Sequence, residues 1–204
     1  MSRPPRPSLA YNLVAVLSWP VLHLLFRYRA AGREHLPSAG GYVLAAGHVS
    51  NFDPWPLGMA LWPRRFLRFM AKSELFWFPL APFLRAAGGF KVRRGMAYRE
   101  AIATAIALAR DGHVIAMFPE GTRRAKGLRK RFEAQAHTGA ARIARDAGVP
   151  LIPAGIRGTN DLRRLGPLRV RYGAPVEVSH DLTETTARLM HAIHELETSL
   201  ETDK

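Results

Sequence analysis

Apolar residues fall along this chain in two rhythms. Tyr42-Val43-Leu44-Ala45-Ala46, Val114-Ile115-Ala116-Met117-Phe118 and Leu151-Ile152-Pro153-Ala154 are continuous apolar runs bounded by glycine or proline, the pattern of strands buried on both faces. Phe66-Leu67-Arg68-Phe69-Met70-Ala71 reads as another strand. Leu168-Arg169-Val170-Arg171-Tyr172 and Val176-Glu177-Val178 are later ones, joined through Gly173-Ala174-Pro175. The second rhythm is helical. Ile102, Ala105, Ile106 and Ala109 stripe residues 96–111, with Gly112 as the stop; residues 134–146 repeat the pattern and end at Gly148; Met190, Ile193, Leu196 and Leu200 mark residues 183–200. Residues 54–63 form a short apolar helix with proline at both ends. Such β–α alternation predicts an α/β fold, a single domain with a mixed central sheet flanked by helices, and binding residues gathered at strand ends and loops. Residues 75–84 crowd aromatic side chains around Pro79 and Pro82, which suits either a core segment or an exposed apolar mouth.

The first 30 residues have a different character, and the expected division is 1–30 and 31–204. Residues 1–7 form a basic, proline-rich arm. Residues 8–26 contain no Asp, Glu, Lys or Arg, a length approaching the roughly 20 residues of a bilayer-spanning helix. Asn12, Ser18, Pro20 and His23 interrupt it. The expectation is therefore an N-terminal apolar membrane-associating helix, kinked, lying in or dipping into one leaflet. Tyr11, Trp19 and Tyr28 would sit at the interface, with Arg3, Arg6, Arg27 and Arg29 outside. The alternative is an apolar helix packed on the core. No small-residue cleavage site follows the apolar run, so a signal peptide is not expected.

Charge narrows the partners. Lys and Arg number 30 against 16 Asp and Glu, a formal net charge of +14, which calls for an anionic partner: a phospholipid surface, a phosphorylated substrate, an acidic carrier protein or nucleic acid. The lack of cysteine excludes disulfides, thiolate nucleophiles and cysteine metal sites. No His/Asp/Glu grouping has a ligand spacing such as H-E-x-x-H, so no metal is expected.

The strand at 42–46 delivers Gly47-His48-Val49-Ser50-Asn51-Phe52-Asp53-Pro54. A neutral imidazole accepts a proton at cellular pH, and a carboxylate that takes its other ring N–H fixes the tautomer and stabilises the imidazolium. With Ser50 or Asn51 as N-cap and Pro54 tolerated early, the segment reads as strand, turn and helix start, and the turn folds Asp53 back onto His48. Taken alone, it is more simply satisfied by a surface histidine beside a helix-capping aspartate.

Three further segments change that weight: Ala87-Gly88-Gly89-Phe90-Lys91-Val92-Arg93-Arg94-Gly95, Phe118-Pro119-Glu120-Gly121-Thr122-Arg123 and Gly148-Val149-Pro150-Leu151-Ile152-Pro153-Ala154. In this order, with H-x-x-x-x-D before F-P-E-G-T-R, the four resemble the conserved blocks of the glycerolipid acyltransferase family, the 1-acylglycerol-3-phosphate acyltransferases, over roughly residues 32–175. The resemblance implies His48 and Asp53 as catalytic residues, and Arg94, Glu120, Gly121, Thr122 and Arg123 as the phosphate- and glycerol-binding set. An arginine fork meets two phosphate oxygens at once, and Gly121 admits close backbone approach. Glu120 has the alternative of an ion pair with Arg123 or Arg124. The basic run 123–131 fits a solvated face, a nucleic-acid patch, or contact with headgroups or the phosphates of coenzyme A. Two positions depart from the family pattern: Gly47 replaces the asparagine usual before the histidine, and Lys91 replaces an apolar residue or proline.

The resemblance implies transfer of an acyl group from a thioester, acyl-CoA or acyl carrier protein, to the free hydroxyl of a lysophospholipid. The acceptor it favours is 1-acylglycerol-3-phosphate, giving phosphatidic acid. His48 serves as general base, with no cofactor and no acyl-enzyme, at the cytoplasmic face of the cell membrane. The alternatives are another lysolipid acceptor, a non-catalytic peripheral membrane protein, and a basic nucleic-acid-binding domain. Nucleic acid is disfavoured because it leaves the His48 strand end unexplained.

Overall fold

The computed structural model describes residues 5–92, 97–120 and 136–202. Seven strands form one sheet: β1 (Arg29–Ala31), β2 (Tyr42–Ala46), β3 (Leu67–Lys72), β4 (Gly89–Val92), β5 (Val114–Met117), β6 (Leu151–Arg157) and β7 (Arg169–Tyr172). Their order is β1-β7-β6-β2-β5-β3-β4, parallel throughout except where β6 meets β7. The predicted mixed sheet is therefore observed. β2, the middle strand, is buried along its whole length, as its unbroken apolar run requires.

Helices cover both faces. On one side lie α4 (Ala97–Arg110), α5 (Gly139–Ala147) and α6 (Leu182–Thr202), packed through Ile102, Ala105, Ile143, Leu189 and Ile193 against Val43, Ala45 and Ile115. The predicted helices coincide with these within a few residues; Met96, Ala134 and Gln135 lie outside the described residues. Gly148, at φ +67°, closes α5 in the left-handed conformation that glycine adopts without a Cβ penalty. On the other side α2 (Pro54–Met59) packs with Leu22, Phe26 and Tyr28 against Leu44, Ala46 and Ala116. The expected strand at Val176-Glu177-Val178 is reduced to a single bridge between Leu151 and Val176, since Pro175 has no N–H to give.

The N-terminal segment is α1 (Leu9–Pro20), capped by Ser8 Oγ accepting the Tyr11 N–H at 3.1 Å, and it continues through Pro20 into a π-helical turn over Val21–Leu25. Tyr11, Ala15, Leu22 and Phe26 face the domain, while Leu9, Leu13, Leu17 and Leu24 lie in the open, with Leu9 89% exposed. Among the described residues no helix is long and apolar enough to cross a membrane. Trp77, Phe78 and Phe83, beside and within α3 (Leu80–Ala86), are also exposed, which removes the core alternative for that aromatic stretch.

Two devices hold the frame of β2. Arg65 is buried and donates to the carbonyls of Gly40 (2.5 Å), Gly112 (2.7 Å) and Pro37 (3.3 Å), tying the turn before β2 to the turn before β5. Tyr28 and Tyr172 donate their phenol O–H to the carbonyls of Pro56 and Leu57, both at 2.7 Å. In a six-residue helix these carbonyls have no partner further along, so the phenols supply what the helix cannot. Burial pushes both phenols well above the usual tyrosine range, and they stay protonated donors.

Tyr172→Phe orphans the Leu57 carbonyl in the core, and a loss of about 1–2 kcal/mol in unfolding free energy is expected. A urea titration checks this: the midpoint should fall with an unchanged slope, and an unmoved midpoint would show that the phenol bond does not hold α2.

Candidate active site

The C-terminal ends of β2, β4, β5 and β6 share one edge of the sheet. Sites in open α/β sheets form at such edges. β2 ends at Ala46, and two residues later His48 projects with 18% of its side chain exposed. The chain then turns through Ser50 and Asn51 and enters α2 at Pro54.

Asp53 stands at the helix start but does not cap it. Its side chain turns back toward β2, and its Oδ2 accepts the N–H groups of Val49 and Ser50, both at 2.9 Å, together with His48 Nδ1 at 2.8 Å. Oδ1 accepts the Thr159 hydroxyl at 2.5 Å. Asp53 and Thr159 are both buried. An oxygen that already accepts two backbone N–H groups has no proton to give, so the proton on the imidazole belongs to Nδ1. Nε2 is left with its lone pair free for a proton. The helix-capping alternative for Asp53 is thus replaced by a carboxylate committed to the turn and the ring.

Phe118 fixes the plane of that ring. The parallel register sets Ala45 beside Met117, and Phe118, the residue directly after β5, brings its phenyl face onto His48, with centroids 4.3 Å apart and planes 25° from parallel. Aromatic contacts of this kind contribute about 0.5–1.5 kcal/mol beyond burial. Phe118 was read as the end of a strand and the first residue of the F-P-E-G-T-R segment; its contact with the ring follows from strand pairing, which the sequence does not display.

Thr159 is the other residue that sequence reasoning missed. It opens the 3-10 turn after β6, preceded by Gly158 at φ +94°. The signal available was a glycine followed by a hydroxyl residue directly after a buried strand, which is weak without knowing that β6 neighbours β2. Of the expected ligand set, Glu120 is placed: it follows β5 at this edge and is buried. Arg94, Gly121, Thr122 and Arg123 lie outside the described residues. β4 and β5, which precede them in the chain, both end at the edge that carries His48.

A buried carboxylate that orients an imidazole and leaves Nε2 free is a general-base arrangement. The chain is also similar to known proteins over most of its length. The family model described as Acyltransferase matches residues 27–157. The 1-acyl-sn-glycerol-3-phosphate acyltransferase of Bacillus subtilis (strain 168) is 29% identical over 195 residues, covering 89% of this chain and 94% of that protein. The crystal structure of the 1-acyl-sn-glycerophosphate (LPA) acyltransferase PlsC from Thermotoga maritima superposes with a TM-score of 0.73 at 25% identity, covering 95% of this chain and 80% of that one.

Replacing Thr159 by valine keeps the shape and removes the donor to Asp53 Oδ1. The expected result is a loss of about 1–3 kcal/mol in stability, because a buried carboxylate oxygen is left without its partner. Thermal unfolding measures this, and wild-type stability in Thr159→Val would mean that the hydroxyl does not support the carboxylate.

Proposed function

Because the chain belongs to the acyltransferase family and is an enzyme of that class, we propose that it moves a fatty acyl group from a thioester to the free hydroxyl of a lysophospholipid. The acceptor is 1-acylglycerol-3-phosphate and the product is phosphatidic acid. The observation that carries the mechanism is the pairing of His48 Nδ1 with Asp53, which leaves Nε2 as the proton acceptor. Nε2 takes the proton of the acceptor hydroxyl as its oxygen attacks the thioester carbonyl. The tetrahedral intermediate then expels the thiolate, and the imidazolium returns the proton to that sulfur. Ester and free thiol are formed, with no covalent acyl-enzyme and no cofactor. Asp53 stabilises the imidazolium while the charge exists, and Thr159 with the two turn amides keeps the carboxylate in place.

In this reading Arg94 and Arg123 bind the acceptor phosphate, with Glu120, Gly121 and Thr122 completing the glycerol phosphate site. Supporting it are the burial of Glu120 at the His48 edge and the family likeness of these segments. The acyl donor is acyl-CoA or acyl carrier protein. The enzyme works at an anionic membrane surface on its cytoplasmic face. In favour of a lipid surface stands the exposed apolar row Leu9, Leu13, Leu17 and Leu24, on a helix whose opposite stripe is already satisfied by the domain.

His48→Ala should lower kcat by about 10²–10⁴-fold, the usual contribution of a general base. Thiol release from long-chain acyl-CoA in detergent, with and without 1-acylglycerol-3-phosphate, is the measurement. Release that needs both the acceptor and His48 supports the mechanism; a variant that keeps most of the rate overturns it. If release requires a different lysolipid, the acceptor assignment fails and the base survives. Arg94→Ala should raise KM for the phosphate-bearing acceptor, and an unchanged KM would move the phosphate site elsewhere.

A further inference from the structure

Side chains alternate along β2. Val43 and Ala45 pack with α4, α5 and α6, while Leu44 and Ala46 pack with α2. Position 47 continues the first set and so addresses the helix layer that includes α6, on the side of the sheet opposite Phe118 and α2. The space there is already taken. A Cβ built on Gly47 would stand 2.0 Å from Glu197 Oε1 and 3.2 Å from its Cδ.

The close approach continues along α6. A Cβ on Gly155 would meet the Leu196 carbonyl carbon at 2.8 Å and the Glu197 nitrogen at 2.9 Å, and one on Gly173 would meet Leu196 Cδ1 at 3.0 Å. The register pairs Ala46 with Ala154, which sets Gly155 beside Gly47 on the neighbouring strand. Two adjacent glycines therefore open the place through which α6 brings its carboxylate to the end of β2. Arg157 Nη1 donates to the Leu200 carbonyl at 2.5 Å and holds the helix there.

We propose that Glu197 is a positioning residue for His48, its carboxyl group buttressing the backbone at Gly47 from behind the sheet. Glycine at position 47 and glutamate at position 197 are thus one device shared between two distant segments. Position 47 carries no side chain of its own, and the carboxylate fills that volume from α6. Glu197 acts through the strand end it leans on. It matters because a displacement of about 1 Å at a reacting group can cost about 10²-fold in rate. The inference rests on the acyl-transfer reading for its effect on rate and on packing alone for the pairing.

The test uses the full chain in five forms: wild type, Glu197→Ala, Glu197→Gln, Gly47→Ala and the Gly47→Ala/Glu197→Ala double variant. Each is assayed for thiol release and for thermal unfolding. Glu197→Ala should lower kcat by about 3–10-fold with KM for both substrates within about twofold, the signature of a misplaced base and not of lost binding. Glu197→Gln, which keeps the shape, should recover kcat to within about twofold of wild type. Gly47→Ala, whose Cβ would displace the flexible end of Glu197, should lower kcat by about as much as Glu197→Ala, and the double variant should lose less in kcat and in Tm than the two single losses combined, since neighbouring sites that compete for one space are not additive. Wild-type kcat in Glu197→Ala overturns the proposal. So does a double variant whose losses merely add. If the wild type releases no thiol with any lysolipid, the acyl-transfer reading fails, and the Tm cycle alone decides whether Gly47 and Glu197 share one space.

Discussion

Asp53 sets the terms for the rest of the molecule. A carboxylate removed from water costs several kcal/mol unless donors replace its hydration. Here four donors meet its two oxygens: the ring N–H of His48, the amides of Val49 and Ser50, and the hydroxyl of Thr159. Three of them come from the turn that leads to Asp53. The fourth is 106 residues away, so the carboxylate is satisfied only where β2 and β6 lie side by side. The charge that organises the base is therefore also a condition on the topology of the sheet.

Support for that carboxylate is layered. Tyr28 and Tyr172 hold the carbonyls of α2, whose first residue follows Asp53. Tyr28 sits just before β1 and Tyr172 ends β7, so the far side of the sheet fixes the helix that carries the site. Phe118 limits rotation of the imidazole from the β5 side. Each contact is modest alone, about 1 kcal/mol for a typical hydrogen bond. Together they hold the imidazole with Nε2 directed away from Asp53 and available for a proton.

How much of this the sequence displayed follows from the range of the interactions. β2, β5 and β6 were legible because strands buried on both faces must be apolar at every position, and the His48–Asp53 pairing was legible because a five-residue turn closes it locally. Thr159 and Phe118 were not, since their roles depend on which strands are neighbours, and strand order is not written in any local pattern. Val176-Glu177-Val178 was overread: its alternation is that of a strand, but the proline before it leaves a single bridge to β6. In the first helix, polar interruptions suggested a kink; after Pro20 the backbone stays helical and passes into a π-helical turn. Its inward stripe of Tyr11, Ala15, Leu22 and Phe26 could not be separated from its outward leucines, because both are apolar.

That ambiguity has a physical meaning. A helix with apolar residues all round is stable where something apolar covers both sides, and the domain covers only one. Tyr11 meets the Phe66 ring at a tilt and approaches Gly58, and Asn12 accepts from the Trp62 indole at 2.9 Å, so α1 lies over the layer that contains α2. By the alternation of β2 and β5, the imidazole of His48 and the ring of Phe118 project toward that same layer. The exposed leucines and the proton-accepting nitrogen thus belong to one side of the sheet, while α4, α5 and α6 close the other. Under the proposed reaction a lysophospholipid would keep its acyl chain in lipid while its hydroxyl reacts, and would need a base on the same side as a surface that meets the lipid. Among the described residues the fold places both on one side with no helix long and apolar enough to cross a membrane.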